Sequence, residues 1–272
     1  MEKITQLKNE QDQSTTCLII STFQNPNALN EILTRIINGS KLPNSIHIAD
    51  DGSDNQTRVM IESFQEKYNI IIHHHWHENI GFRKCKILNK TLKECLEEYI
   101  IFLDGDCLPH SEFVKDHINL AERRHFVQGR RCFISQEMVV PLLEGRETLK
   151  SLLLRGKITG LFKAFRFPAP IIMTNMNQRG LIGCNWASWR TDILDVNGFD
   201  EEYEGWGIGE DSDICSRLYN LGISRKFVYG RSIVYHLNHE TIDKTHVFKS
   251  NARLQETISG KKIRCTNGIV KD

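Results

Sequence analysis

The chain has 272 residues, of which 40% are hydrophobic and 25% are charged, with 18 glycines and only 6 prolines. This length allows one large α/β domain or two small ones, and the composition excludes disordered and collagen-like proteins. The 35 basic and 34 acidic residues leave a formal net charge of +1. A protein without a global basic field does not hold long stretches of phosphate backbone, so we exclude nucleic acid as a partner.

Strand-like and helix-like segments alternate through the first half of the chain. Apolar runs and helical periodicity predict buried strands at 17–20, 45–49, 70–72 and 99–103 and helices at 27–37, 56–67 and 83–98. This alternation predicts an α/β fold in which a parallel sheet carries helices on both faces. The polar loops that follow the strands then converge on one edge of the sheet, where open α/β sheets bind ligands.

The second half is less regular. Its patterns predict strands at 126–134, 183–189 and 232–236 and a helix at 211–221, and residues after His239 give weak signals. The segment from Lys150 to Pro170 interleaves basic and apolar side chains and contains no acid. Such a segment lies on an anionic membrane surface, closes over an acidic or lipid-linked substrate, or packs as a core helix with a solvated basic face.

Compartment is predicted from what the sequence lacks. Residues 1–16 are polar and contain no apolar core of a signal peptide, and no stretch approaches the roughly 18 apolar residues of a membrane-spanning helix. The eight cysteines, at positions 17, 85, 95, 107, 132, 184, 215 and 265, form no CxxC pair. We interpret them as reduced, buried thiols rather than as a zinc site, and we expect a soluble cytoplasmic protein.

Two acidic turns follow predicted strands. Asp104 and Asp106, separated by Gly105, come directly after the strand at 99–103. Two such carboxylates cost free energy unless a cation or hydrogen-bond donors neutralise them, and Mg²⁺ or Mn²⁺ with diphosphate oxygens does this well. Asp50 and Asp51 end the second strand, where they either accept hydrogen bonds from a pyrimidine and a ribose or only form a tight turn.

Three weaker features complete the list of candidates. Residues 79–84 open a helix, so their cations and backbone N–H groups can approach a diphosphate. The histidines at 73, 74, 75 and 77 are interpreted as partly exposed residues at a strand end, because alternation sends neighbours to opposite faces. His236 and His239 end the last predicted strand and either complete a metal shell or are structural.

Residues 205–213 combine glycines, Trp206 and several acids ahead of a predicted helix. Acids at a helix N-terminus serve in part as caps and as partners of the helix dipole. An aromatic face beside carboxylates such as Glu210 and Asp211 can also hold a sugar ring and take a hydroxyl proton.

In this order, the motifs resemble the family 2 glycosyltransferases with the A-type glycosyltransferase fold. The residues that carry the resemblance are 19–23, 50–53, 79–81 and 102–106. A later part is similar to the C-terminal part of β-1,4-galactosyltransferases and bacterial chondroitin polymerase modules, at residues 183–186, 197–200 and 205–211. The chain departs from the family at Ser21 and Gln24, where Pro and Asn are frequent, and its 205–211 run is one residue longer.

The resemblance implies a Rossmann-like, nucleotide-binding mixed sheet flanked by helices, in a single domain with a short C-terminal extension. It divides the chain into a polar N-terminal segment (1–16), a donor-binding half (17–125), an acceptor-binding and catalytic half (126–240) and the extension (241–272). The implied donor-binding residues, with Asp50 facing the uracil, are Thr22, Phe23, Asp50, Asp51, Arg83 and Asp104. The implied acceptor-binding residues are Asn185, Trp186, Trp206 and Glu210.

Further, the resemblance implies that Asp211 is the catalytic base and that Asp106 and His236 bind Mn²⁺ (or Mg²⁺). The activity would be inverting transfer of a hexose or N-acetylhexosamine from a UDP-sugar to a glycan or lipid-linked glycan, in bacterial surface polysaccharide or lipooligosaccharide synthesis. The protein would work in the cytoplasm or at the inner face of the membrane, with peripheral contact through Lys150 to Pro170.

Two alternatives remain open at this point. A nucleotidyltransferase also uses an α/β nucleotide fold and a metal carboxylate, but residues 21–27 lack the glycines and lysine of a phosphate loop. A non-catalytic sugar or nucleotide-binding module is disfavoured because every expected acid is present.

Overall fold

The computed structural model describes residues 14–176, 181–205, 209–239 and 247–271. The strands in these ranges are β1 (Thr16–Thr22), β2 (Ser45–Asp50), β3 (His73–Trp76), β4 (Tyr99–Asp104), β5 (Cys107–Pro109), β6 (His125–Gln128), β7 (Arg130–Ile134), β8 (Ile158–Thr159), β9 (Ile171–Asn175), β10 (Asn185–Trp189), β11 (Ser224–Tyr229) and β12 (Ile233–Leu237). They form a large sheet in the order β3-β2-β1-β4-β10-β6-β11-β9 and a small sheet in the order β5-β12-β7-β8.

Helices flank the large sheet and connect its strands. In chain order they are α1 (Pro26–Ile37), α2 (Asn55–Tyr68), α3 (Lys84–Glu94), α4 (Phe113–Leu120), a 3₁₀ turn (Gln136–Met138), α5 (Val139–Leu143), α6 (Leu149–Leu154), α7 (Leu161–Ala164), α8 (Arg190–Asp195), α9 (Glu210–Asn220) and α10 (Val247–Ser259). Local sequence explains where α1 begins, since Asn25 accepts a hydrogen bond from the Ala28 amide and Pro26 occupies the first turn.

Strands β1 to β4 are parallel where they pair, and β10 is antiparallel to both β4 and β6. The apolar residues of β1 and β4 are buried on both faces, which is expected of central strands covered by helices on each side. The mixed α/β sheet flanked by helices is therefore confirmed. Its parallel strands end at Thr22, Asp50 and Asp104, which gathers the polar loops at one edge.

The third predicted strand, at 70–72, is wrong. The strand at this place is β3, which begins at His73 and pairs in parallel with β2. Asn69 ends α2 in a left-handed conformation, and the amides of Ile70 and Ile72 both donate to Gln65. The apolar run therefore belongs to the turn after α2, and Ile71 is 75% exposed.

The single strand predicted at 126–134 is also wrong, because it is two strands in different sheets. β6 lies in the large sheet and β7 in the small one, with Gly129 between them. The Gly129 amide donates to the Asn185 carbonyl, and the Arg130 amide donates to the Ser232 carbonyl. The two consecutive amides thus bond to different chain segments, and the chain passes from the large sheet to the small one at this point.

The described C-terminal residues, 247–271, pack against the rest of the chain. Helix α10 contacts α9, and the Thr257 hydroxyl donates to the Asp213 carboxylate over 2.8 Å. Beyond α10, the Asn197 amide group donates to the carbonyls of Cys265 and Val270 and accepts from the Val270 amide. These contacts attach α10 to α9 and attach residues 265–270 to the turn after α8.

The segment from Lys150 to Pro170 is not one helix. It contains the end of α6, then β8 in the small sheet, then α7, and it buries Leu152 and Ile158. Phe162 and Phe165 are exposed. Three of its cations form ion pairs with acids outside the segment: Arg155 with Glu147, Lys157 with Glu137, and Arg166 with Asp116. Although the segment contains no acid, three of its basic side chains are therefore paired with acids from other parts of the chain.

Within the described ranges, no helix has the length and apolar character needed to cross a membrane. All eight cysteines fall in these ranges, and each is a buried free thiol.

Candidate active site

A pocket opens at the edge where β1 and β4 end. The chain segments that form it are β1, α3, β4, the residues before β10, and the start of α9. Its lining residues are Ile19, Ser21, Lys84, Leu88, Phe102, Leu103, Asp104, Gly183, Trp186, Phe199 and Asp211. Apolar walls with a few convergent polar groups are typical of small-ligand sites.

Asp104 and Lys84 form an ion pair inside this pocket. The Lys84 ammonium lies 2.7 Å from Asp104 Oδ1, and the Ser21 hydroxyl donates to the same oxygen over 2.7 Å. Burial opposes the charge of Lys84, but Asp104, Asp211 and Glu210 outweigh it and raise the pKa of the lysine well above its usual range. Lys84 is therefore a permanent cation that faces several carboxylates.

Asp211 is the carboxylate of this pocket whose pKa is raised. Burial, followed by the nearby Glu210, raises the pKa of Asp211 to about 7, and Lys84 limits the rise. The carboxylate also accepts a hydrogen bond from the Gly183 backbone. A Cβ at position 183 would overlap the Asp211 carboxyl group, so a larger residue there would displace that side chain. A carboxyl group poised near neutral pH can accept a proton from a reacting group.

Helix α9 holds this carboxylate in place. Glu210, 8% exposed, begins the helix, and acids in a first turn are favoured by the helix dipole. One turn further, Asp213 forms a buried ion pair with Arg217, whose guanidinium also donates to the carbonyls of Val196 and Gly198. Asp213 thus anchors the helix that presents the residues of the pocket.

A second cluster forms around Asp106. Its Oδ2 lies 3.3 Å from His236 Nε2 and 3.2 Å from His239 Nε2, and the Cys107 thiol donates to Oδ1. Burial opposes the ionisation of Asp106, but the hydrogen bonds from His236 and His239 hold its pKa well below its usual range. Pairing of β5 with β12 places His236 opposite Cys107, which explains why this histidine meets the acid.

The acidic turn after β2 is held by histidines of β3. His74 Nε2 lies 2.9 Å from Asp50 Oδ2, and the Ser53 amide donates to Asp50 Oδ1. Asp50 is fully buried, so the predicted contact with a uracil, which stays a prediction, would require His74 or the turn to move. His77 and the Arg83 amide bind Asp51 in the same way.

The position of the turn after β2 also depends on the backbone conformation of Gly52. Gly52 has a φ of +95°, and a Cβ at this position would lie 2.7 Å from the Cα of Asn79. The turn therefore packs directly against the loop that leads into α3. The Arg83 guanidinium donates to the Glu78 carbonyl, so the predicted donor-binding role of its side chain competes with this bond.

Thr22 and Phe23 lie at the end of β1, on the edge of the sheet that carries the pocket. The Thr22 hydroxyl is buried and has no hydrogen-bond partner among the described residues. The Phe23 ring, just past the end of β1, is 47% exposed. An orphaned hydroxyl beside an exposed aromatic ring leaves both groups available to a ligand.

Three of the predicted acceptor residues, Asn185, Trp186 and the Glu210 described above, are buried. The Asn185 amide accepts from His117 Nε2 and donates to the carbonyls of Arg130 and Ser232, so its hydrogen-bonding groups are taken by the junction of the two sheets. Direct acceptor contact by Asn185 stays a prediction and would require this side chain to leave these partners. Trp186, 1% exposed, stacks on Phe102 with ring centroids 4.4 Å apart and forms the pocket floor. Trp206 lies outside the described residues.

Sequence reasoning assigned no site role to two contributors, Ser21, which donates to Asp104, and Gly183, which admits Asp211. Lys84 and His239 were among the candidate cations and metal ligands, and the structure pairs them with Asp104 and Asp106. No local pattern marks Gly183, because its role depends on a residue 28 positions away.

The chain has the fold of the A-type glycosyltransferases. Its parallel strands end at paired acids, and antiparallel strands and a second sheet lie beside them. The solved structure of GalNAc-T7 with UDP, GalNAc and Mn²⁺ matches with a TM-score of 0.65 and 15% identity, over 90% of this chain and 48% of that chain. Mannosyltransferase PcManGT from Pyrobaculum calidifontis, in complex with GDP-Man and Mn²⁺, matches with a TM-score of 0.56 and 16% identity, over 92% and 64% of the two chains. These likenesses establish the fold.

Residues 17–174 match the family described as glycosyl transferase family 2, and residues 169–240 match the family described as N-terminal domain of galactosyltransferase. The first match covers more than half of the chain, so the chain belongs to glycosyl transferase family 2. Chondroitin synthase of Escherichia coli is 22% identical over 237 residues, which are 80% of this chain and 34% of that protein. The chain therefore spans about a third of the length of this curated relative. The resemblance stated from the motifs is confirmed.

Proposed function

We propose that this chain is a metal-dependent, inverting glycosyltransferase that moves a hexose or an N-acetylhexosamine from a UDP-sugar to a hydroxyl group of a glycan. The observation that carries the proposal is the Asp211 carboxylate, whose pKa of about 7 suits a general base, in one pocket with Asp104 and Lys84. The Asp106 cluster supports the proposal because it begins only two residues after Asp104.

The donor nucleotide would bind along the loop edge next to this pocket. The orphaned Thr22 hydroxyl can bind a nucleoside, and the exposed Phe23 ring can stack on a flat base. Asp50 and Asp51, held by histidines, would shape the base-binding loop rather than supply the uracil contact from Asp50. Asp104 would face the ribose or the diphosphate.

The residues around Asp106 fit Mn²⁺ or Mg²⁺. Ligand atoms of Asp106, Cys107 and His236 lie within 4.8 Å of one another, and carboxylate oxygens are ligands that these cations prefer. His236 Nδ1 is buried without a partner among the described residues, so no hydrogen bond competes with a ligand for this nitrogen. His239 supplies a second imidazole. When bound, the metal would stabilise the negative charge of the departing UDP.

Asp211 would take the proton of the acceptor hydroxyl as that oxygen attacks the anomeric carbon. A single displacement inverts the configuration at this carbon. Glu210 would keep Asp211 basic, since it raises the pKa of that carboxyl group, and Lys84 would keep the pKa from rising above the working range. The Gly183 backbone would hold the carboxylate in one orientation.

The acceptor and the cellular setting follow by analogy. The name of the chondroitin synthase relative supports a growing glycan, free or lipid-linked, as the acceptor and bacterial surface polysaccharide or lipooligosaccharide synthesis as the pathway. Eight buried free thiols suit the reducing cytoplasm. Exposed Phe162 and Phe165 would face a lipid-linked acceptor or the inner membrane surface, although ion pairs neutralise three cations of their segment.

The test is a panel of UDP-sugars and glycan acceptors incubated with the protein in Mn²⁺ or in EDTA. We expect metal-dependent release of UDP from one sugar, with product of inverted configuration by NMR. Transfer of UMP with release of the sugar 1-phosphate would instead identify a nucleotidyltransferase. Nucleotide binding without any turnover across the acceptors would favour a non-catalytic module.

A further inference from the structure

A group of potential metal ligands lies at the other end of the large sheet, away from the pocket. Cys17 is near the start of β1, His47 is in the first half of β2, and Cys95 and Glu97 lie between α3 and β4. Along β1, Cys17 and Thr22 are five residues apart, which corresponds to about 16 Å of extended strand. The group is therefore distinct from the cluster around Asp106.

The four side chains converge closely. The thiol sulfurs of Cys17 and Cys95 are 3.2 Å apart, and one ligand atom from each of the four residues lies within 4.8 Å of all the others. Both cysteines are fully buried, His47 is nearly so, and Glu97 is partly exposed. Zinc–sulfur bonds of about 2.3 Å place two thiolates of a tetrahedral site about 3.8 Å apart, so the two sulfurs would move apart by about 0.6 Å on binding zinc.

The fold itself produces this convergence. In the parallel pairing of β1 with β2, Ile19 is opposite His47, so Cys17 and His47 are diagonal neighbours on the same face of the sheet. Helix α3 packs on that face, and Cys95 is its C-terminal cap, with its amide donating to the Thr91 carbonyl over 3.1 Å. Three separate elements therefore contribute ligands.

A second layer of contacts orients the histidine. His47 Nδ1 lies 2.9 Å from His75 Nε2, and His75 Nδ1 lies 3.6 Å from the Glu94 carboxylate. Histidines that bind metals usually bond through their other nitrogen to an orienting partner, which fixes the ring and its tautomer. With Nδ1 engaged by His75, Nε2 of His47 is the nitrogen that would bind a metal.

We propose that Cys17, His47, Cys95 and Glu97 bind one structural zinc ion. Two thiolates select zinc over Mn²⁺ and Mg²⁺, and four protein ligands leave no open position for a substrate. Binding would release the two thiol protons to solvent and would tie β1, β2 and the α3–β4 connection together. The proposal does not depend on the sugar-transfer activity.

The test measures zinc in the whole chain, expressed with added zinc and washed with EDTA, by inductively coupled plasma mass spectrometry. We expect about one zinc ion per chain. Cys95→Ser is expected to lose it. Cys215→Ser, which changes a buried cysteine outside the group, is the matched control and is expected to keep it. Asp106→Asn is also expected to keep the zinc, because it alters only the other cluster.

Two measurements on the unmutated chain keep the test valid if Cys95→Ser does not fold. Cobalt exchanged into the site is expected to show the thiolate charge-transfer absorption of a cobalt–sulfur bond. Thiols are also counted in denaturant with a chelator, and all eight are expected to react. A chain with eight reactive thiols and no zinc would overturn the proposal. Six reactive thiols, eight minus the pair at 17 and 95, would overturn it in favour of a disulfide.

Discussion

Replacement of Asp211 by asparagine removes the proposed base while it keeps the shape of the side chain. Loss of a general base is expected to lower the rate of sugar transfer by about 10²- to 10⁴-fold. Binding of UDP is expected to stay close to that of the unmutated chain, because Asp211 faces the acceptor side of the pocket in the proposed mechanism. Radiolabelled sugar transfer and calorimetric UDP binding measure the two effects separately.

The pH dependence gives the sharper form of this prediction. Burial and Glu210 raise the pKa of Asp211 to about 7, and only the ionised form can take a proton. The ionised fraction rises from about 0.1 at pH 6 to about 0.9 at pH 8, so kcat/KM is expected to rise about tenfold over that window. The residual activity of Asp211→Asn should lack this limb.

The free energy of unfolding is expected to fall as pH rises, whereas kcat/KM rises. The folded-state pKa of Asp211, about 7, exceeds its ordinary value of 3.8. For an acid this means that the folded chain holds the proton more tightly, so stability is lost as pH rises from about 4 to about 7. At about 1.4 kcal/mol per pH unit, the loss is about 4 kcal/mol above pH 7. Asp211→Asn escapes this loss.

Urea unfolding at pH 5 and pH 8 measures the effect. The stability advantage of Asp211→Asn over the unmutated chain is expected to grow by about 3 kcal/mol between these values. Glu66→Gln, at an exposed acid of α2, is the control and is expected to show no such growth. An advantage of equal size at both pH values, or transfer at the unmutated rate, would refute the assignment of Asp211 as a buried, proton-accepting group.

Three further changes test the surroundings of the pocket. Gly183→Ala places a Cβ on the Asp211 carboxylate, so kcat is expected to fall by about 10²-fold or more in a steady-state assay, and wild-type turnover would contradict the close packing. Lys84→Met removes the cation that limits the pKa of Asp211, so the acidic limb of the kcat/KM profile should move to higher pH rather than stay in place. Asp106→Ala is expected to weaken UDP binding in Mn²⁺ and to change it little in EDTA, as measured by calorimetry; equal weakening in both would remove the metal role.

The sequence could predict the positions of those candidate residues that lie at the ends of strands and helices. Asp104 and Asp106 follow a buried apolar run, and Asp211 opens an amphipathic helix, so each could be placed without knowledge of the fold. The correct edge of the sheet followed from the rule that parallel strands end together. Local patterns were sufficient here because the chemistry-bearing residues adjoin the elements that position them.

The hydrogen-bond partners of the candidate residues were harder to predict than the residues themselves. Asn185 carries the polar group expected of a ligand contact, and in the structure His117 and two carbonyls bond to that group. Asp50 has the residue type expected for base recognition, and in the structure His74 and the Ser53 amide bond to its carboxylate. Most of these partners are distant in the chain, so local patterns do not reveal them.

The sequence by itself determined the sheet-and-helix class, the edge that carries the acids, and the identity of the candidate base. The first two features depend on hydrophobic periodicity and on residues that are close in the chain, and the choice of Asp211 as the base comes from the resemblance to family 2 glycosyltransferases. Only the tertiary structure decided the proton affinity of Asp211, which depends on burial, Glu210 and Lys84, and the convergence of Cys17 with Cys95 across 78 positions. Burial and pairing between distant segments set these properties, since electrostatic and metal-binding behaviour follows distance in space rather than distance along the chain.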